Sequence, residues 1–165
     1  MGKKLQTLLL GALLNLGTFE SEAGVKAAPK YNIPDNHCAQ YARQAAKDLF
    51  GKIYPRADAW NMRYDSKIVA RSEKGISEEK LSKLAEAGVL KPGMILGVYN
   101  PRSTYNGHTD KTGNKLEYSH VVIYTGSENG TNYIAQQLGK NQITKEPLRN
   151  ISVRGHKVEE ILDVK

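Results

Sequence analysis

The sequence predicts an α+β fold with N-terminal helices packed on an antiparallel β-sheet. Apolar residues recur at helical spacing across residues 36–51 and again after Ser77. At Pro92-Gly93 the texture changes, and short β-prone runs separated by turn residues follow to the C-terminus. Helical segments in front and a meander of strands behind give α+β rather than alternating α/β. With 165 residues, 39% hydrophobic and 25% charged, the chain is globular and large enough for one buried core.

The first helix is expected over residues 36–51, on the spacing of Ala39, Ala42, Ala46, Leu49 and Phe50. Pro34 with Asp35 or Asn36 as N-cap supplies the start, and Gly51 the stop. A second, shorter helix is expected within Ala57 to Val69, holding Met62 and Trp60, the only tryptophan and a candidate for either core or cleft. Ser77 caps a third helix through Leu81, Leu84 and Ala85, with Glu78 and Glu79 in its first turn and Gly88 at its end. Strands follow at Met94–Tyr99, Tyr118–Thr125, Asn132–Gln137, Gln142–Lys145 and Val158–Val164. Asn100 to Lys115, rich in Gly, Asn, Thr and Ser, is a long loop, and Gly126 to Gly130 a tight turn.

Residues 1–27 stand apart from the domain expected over 28–165. Lys3 and Lys4 precede a mostly apolar run, Leu5 to Leu16, and small-residue cleavage patterns follow at Ser21-Glu22-Ala23 or Val25-Lys26-Ala27. This is the layout of a signal peptide, implying a secreted, periplasmic or wall-associated protein. The alternative is an amphipathic or packed N-terminal helix of a cytoplasmic protein, which Gln6, Asn15, Glu20 and Glu22 would suit. The run is shorter than the ~20 residues that span a bilayer, so no stable membrane anchor is expected.

The net charge of +7 favours anionic partners: nucleic acid, anionic lipid or an acidic wall polymer. Lys and Arg form no dense block, and no zinc-finger or RNA-binding signature is present, which argues against nucleic acid. A single cysteine excludes an internal disulfide and the multi-cysteine zinc sites. His37, Cys38, His108 and His120 fit no standard zinc spacing, and no metal or cofactor is expected. The protein is expected to be a monomer.

Cys38 is the first candidate for chemistry. It sits where a loop enters a helix, and helix N-terminal N–H groups and the macrodipole stabilise a thiolate. A buried, inert thiol is the alternative. Thiol chemistry needs a base. Of His37, His108, His120 and His156, His120 fits best, because it opens an apolar strand directly after the polar loop. His37 is one step from Cys38 and points away from it, and His108 and His156 read as surface residues. A third group should orient the imidazole. Gln136 or Gln137, on the following strand, is placed to do so. Adjacent strand residues face opposite sides, so only one of them can, and Gln136 is preferred.

Three segments resemble the NlpC/P60 superfamily of papain-like cysteine peptidases and amidases, in its CHAP-like branch. Asn36-His37-Cys38-Ala39-Gln40-Tyr41-Ala42 is similar to the family's cysteine at a helix head. Leu90-Lys91-Pro92-Gly93-Met94-Ile95-Leu96 is similar to its Pro-Gly entry into a strand, with Met94 at a position usually Asp. Ser119-His120-Val121-Val122-Ile123-Tyr124-Thr125-Gly126 is similar to its histidine strand. The resemblance implies a papain-like fold, Cys38 as nucleophile, His120 as general base and Gln136 as the third residue. It implies a hydrolase of peptide or amide bonds, with peptidoglycan or a peptide as substrate. Two other expectations stay open: a non-catalytic binding or structural protein that keeps the fold, and an acyltransferase or deamidase acting on protein or lipid.

Overall fold

The protein is described by a computed structural model covering residues 26–34, 37–104, 106, 108–109, 115–116, 118–139 and 142–165, with the backbone alone at Trp60, His108, Thr109, Lys115 and Leu116. Residues 1–25 of the leader expected over 1–27, the caps Asp35 and Asn36, and the side chains of Trp60 and His108 lie outside the described residues.

In chain order, α1 (Cys38–Phe50) is followed by a 3₁₀ helix (Ala59–Tyr64), β1 (Lys67–Ile76), α2 (Glu78–Glu86) and β2 (Ile95–Tyr99). Then come β3 (His108–Thr109), β4 (Lys115–Leu116), β5 (His120–Glu128), β6 (Thr131–Gly139), β7 (Gln142–Pro147), α3 (Asn150–Val153) and β8 (Lys157–Asp163). Six strands form one antiparallel sheet in the order β1-β8-β2-β5-β6-β7, and β3 and β4 pair as a separate ribbon. The α+β class holds. The helices are not gathered at the N-terminus, because β1 precedes α2 and α3 lies between β7 and β8. No helix of the described residues is long and apolar enough to cross a membrane.

Strand alternation sends side chains to two faces, and helices cover both. One face carries Ile95, Val121, Ile123, Ala135 and Leu162 against Tyr41, Ala42, Ala45 and Ala46 of α1. The other carries Leu96, Val122, Tyr124, Ile134 and Ile161 against Leu81 of α2 and Ile151 of α3. Small residues on α1 let the helix lie close to the sheet. Gly51 ends α1 in the left-handed region at φ 67°, and its N–H returns to Lys47 O at 2.9 Å. Residues 26–34 run back along α1: Lys26 Nζ donates to Leu49 O at 2.7 Å, and Tyr31 OH to Asp48 at 2.9 Å.

Two local expectations are corrected. The helix within Ala57–Val69 is a 3₁₀ turn followed by β1, because Lys67 and β-branched Ile68 take extended pairing with β8, with Val69 at a register shift. Helix α1 starts at Cys38 with His37 in the N-cap position and no side-chain cap hydrogen bond. The Ser77 cap stands, its Oγ accepting from Lys80 N at 3.3 Å.

A buried charge cluster braces the strand that carries His120. Glu160, with no exposed surface, accepts from Arg63 Nη2 at 2.6 Å, Arg63 Nε at 3.1 Å and Tyr118 OH at 2.9 Å. The Tyr118 ring lies on Gly97, where a Cβ would come within 2.8 Å of it, so only glycine admits the ring. A buried carboxylate stripped of its main cation costs roughly 3–5 kcal/mol. Arg63→Ala is therefore expected to lower the urea unfolding free energy by about that amount, and a change under about 1 kcal/mol would show that Glu160 is satisfied without it.

Candidate active site

The β5–β6 register runs from Glu128↔Thr131 to Ile123↔Ala135, whereas β5 stays paired with β2 as far as Val98↔His120. The N-terminus of α1 meets the sheet at this end. Gln137 Nε2 donates to Ile33 O at 3.0 Å and holds the segment that delivers Cys38. The half-buried Cys38 thiol is hydrogen-bonded to the half-buried His120 ring and meets the backbone N–H groups of Val121 and Ala39.

On its other side, His120 Nε2 lies 2.8 Å from Gln136 Oε1. An amide oxygen only accepts, so Nε2 carries the hydrogen in that bond. In the neutral ring this leaves Nδ1 with a lone pair for the thiol proton. Gln136 and Gln137 thus divide as strand alternation requires: Gln136 serves the imidazole and Gln137 the loop before Cys38.

Electrostatics favours the ion pair. Burial pushes the Cys38 thiol up, but the His120 hydrogen bond and charge, with the Val121 and Ala39 N–H groups, bring it below the ordinary thiol value. Burial pushes the His120 imidazole down, but the hydrogen bond and charge of Cys38 and the bond to Gln136 hold it above its ordinary value. Both shifts favour a proton on the ring and a thiolate, the nucleophilic form, on the sulfur.

The pair opens on a groove of about 1530 Å³, larger than the cavities that enclose a drug-sized ligand. Arg43, Arg56 and Arg102 line it, with Asp58 and Asp65 opposing part of their charge. Asn100, Arg102, Ser103 and Thr104 line it as well, so the described part of the long loop borders the cleft. That loop is tied to the histidine strand by Ser119 Oγ, 2.8 Å from Ser103 Oγ and 3.0 Å from Asn106 Oδ1.

One expectation about histidines changes. His156 is half-buried and lines the groove, as does the exposed His37. Burial and the nearby Arg154, His120 and Arg102 charges hold His156 below the usual imidazole range, so it is neutral at pH 7. Sequence reasoning also missed Glu146, Asn150 and Arg154, which stand behind Gln136. Their spacing of four across a strand end and a short helix is the only signal they leave in the chain. Among the described residues, no group of three or more His, Cys, Asp or Glu is gathered as a metal site.

The thiolate makes a direct prediction. Its ionisation lies below the ordinary thiol range, so alkylation by iodoacetamide should pass its half-maximal rate at a pH below that of a free cysteine. In His120→Ala, burial is no longer offset and the midpoint should move up by at least about one unit, a tenfold loss of rate near neutral pH. Superimposable profiles would show that the imidazole does not ionise the thiol. The chain matches no protein-family model, no curated protein and no solved structure.

Proposed function

We propose that the protein is a cysteine-dependent hydrolase of peptide or amide bonds, of the papain-like NlpC/P60 type, acting on bacterial cell-wall peptidoglycan. The observation that carries this reading is the hydrogen-bonded series Cys38, His120, Gln136 at the mouth of an open groove. A non-catalytic relic of the fold has no need for a thiol hydrogen-bonded to an imidazole that a glutamine orients. The order of the three similar segments along the chain adds to it, as do the net positive charge and the three groove arginines, which suit an anionic wall polymer.

The geometry supports the following reaction. The Cys38 thiolate adds to the substrate carbonyl carbon, and the π electrons move to oxygen. The Cys38 backbone N–H at the head of α1 and a neighbouring donor receive that oxyanion, each such donor being worth ~3 kcal/mol. His120 passes its proton to the leaving nitrogen as the C–N bond breaks, which leaves a thioester on Cys38. Neutral His120 then takes a proton from water, the hydroxide adds to the thioester, and the carboxylic acid departs as the thiolate is restored. Gln136 keeps the ring facing the sulfur in both halves. A wall substrate places the protein outside the cytoplasm, in keeping with residues 1–27 as an export signal.

Purified peptidoglycan, soluble peptides and a simple ester test the proposal together. Wild type should release new amino groups from peptidoglycan, and Cys38→Ala should lose at least about a thousandfold of that rate with its circular dichroism unchanged. Equal turnover by Cys38→Ala would end the thiol mechanism. Acyl transfer to an added amine or alcohol without net hydrolysis would favour the acyltransferase reading.

A further inference from the structure

The side-chain amide of Gln136 has two faces of nearly equal size, and only one of them is useful to His120. With oxygen toward the ring, Nε2 holds hydrogen and Nδ1 is free for the thiol proton. A half-turn of the amide presents NH₂ instead. The ring then accepts through Nε2, the neutral form carries its hydrogen on Nδ1 facing the sulfur, and the imidazolium loses its acceptor. While the ring is neutral, nothing within Cys38, His120 and Gln136 selects between the two orientations.

The selection comes from the next strand. On β7, Glu146 pairs with Ile134 of β6, which puts it diagonally beside Gln136 on the same sheet face. Gln136 Nε2 donates to Glu146 Oε1. A carboxylate can only accept, so a flipped amide would set oxygen against oxygen. Glu146 is itself clamped: Arg154 Nη1 donates to Oε2 at 2.8 Å, Arg154 Nη2 to Oε1 at 2.7 Å, and Asn150 Nδ2 to Oε2 at 2.9 Å. Burial pushes this carboxyl up, but the Arg154, Asn150 and Gln136 bonds bring it below the usual range, so it remains ionised.

Glu146 also compensates charge. Arg154 by itself disfavours a proton on His120. The groups around the ring are Cys38 from α1, Gln136 from β6, Glu146 from β7, Arg154 after α3, and His156 before β8 with Arg102 close to it. Among these, Glu146 bears the negative charge that answers Arg154.

We propose that Glu146, held by Arg154 and Asn150, is the positioning residue that turns the Gln136 amide oxygen-first toward His120 and so selects the ring tautomer that serves Cys38. This rests on the reading of Cys38 and His120 as the working pair, and it extends the chain of control from three residues to four. Glu146 touches neither sulfur nor imidazole, and its effect passes through Gln136.

The test uses the full chain and reads protonation, so turnover is not needed. In Glu146→Gln, residue 146 no longer forbids the flipped amide, and the pH midpoint of Cys38 alkylation should rise by about one unit, a tenfold slower reaction near pH 7. The exchanged pair Gln136→Glu with Glu146→Gln should bring the rate back to within about threefold of wild type, since a carboxylate at 136 accepts from Nε2–H in either orientation and the amide at 146 can donate to it. A wild-type midpoint in E146Q, or no recovery in the folded exchanged pair, would overturn the proposal. Wild type with Cys38 blocked by iodoacetamide gives a reading independent of whether either variant folds. The ¹⁵N shifts of His120 should report the Nε2–H tautomer when the ring is neutral, and an Nδ1–H tautomer would overturn the proposal. Loss of the hydrolase reading would appear separately, as turnover indifferent to Cys38.

Discussion

An amide oxygen has no hydrogen to give, so the 2.8 Å contact between Gln136 Oε1 and His120 Nε2 commits that ring nitrogen to carrying one. The other nitrogen is then the proton acceptor for Cys38, and both shifts of the pair, thiol down and imidazole up, follow from their mutual bond. Much of the remaining structure serves to keep these partners in place. The sheet supplies the strand ends, α1 supplies the sulfur, and the groove supplies access.

Neighbouring residues of a single strand carry out two tasks. Gln136 faces the side covered by α3 and meets the imidazole, whereas Gln137 faces the α1 side and holds the Ile33 carbonyl. A one-residue slip of β6 would exchange them and undo both contacts, so the register of β6 is a condition of the site as well as of the core. Behind the histidine strand, Tyr118 lies over Gly97 and reaches Glu160, which Arg63 neutralises. That cluster ties the 3₁₀ turn beside the groove to the entry of β5, so its stability and the placement of His120 are linked.

Sequence reasoning worked best where the signal is local. The start of β5 at His120, the Ser77 cap and the Gly51 stop could each be read within a few residues, because strand propensity, side-chain capping and a left-handed φ are near-neighbour effects. It failed where a distant partner decides. Residues 67–69 could have extended a helix, but β8, some ninety positions along the chain, takes them as strand β1. His156 looked like a surface residue because nothing nearby in sequence says that the final turn faces the groove. Glu146 and Arg154 are an unremarkable acid and base until the β6–β7 register brings them behind Gln136.

The amino-acid order alone determined an α+β chain, a lone thiol at a helix head, a histidine opening a core strand and a pair of glutamines on the next. All of these depend on periodicity, propensity and residue type, which act over one or two turns of chain. The tertiary structure decided that thiol and imidazole meet, which glutamine meets the ring, and what turns its amide the right way. Those outcomes depend on directional hydrogen bonds between segments far apart in sequence, whose geometry exists only once strand order and register are set.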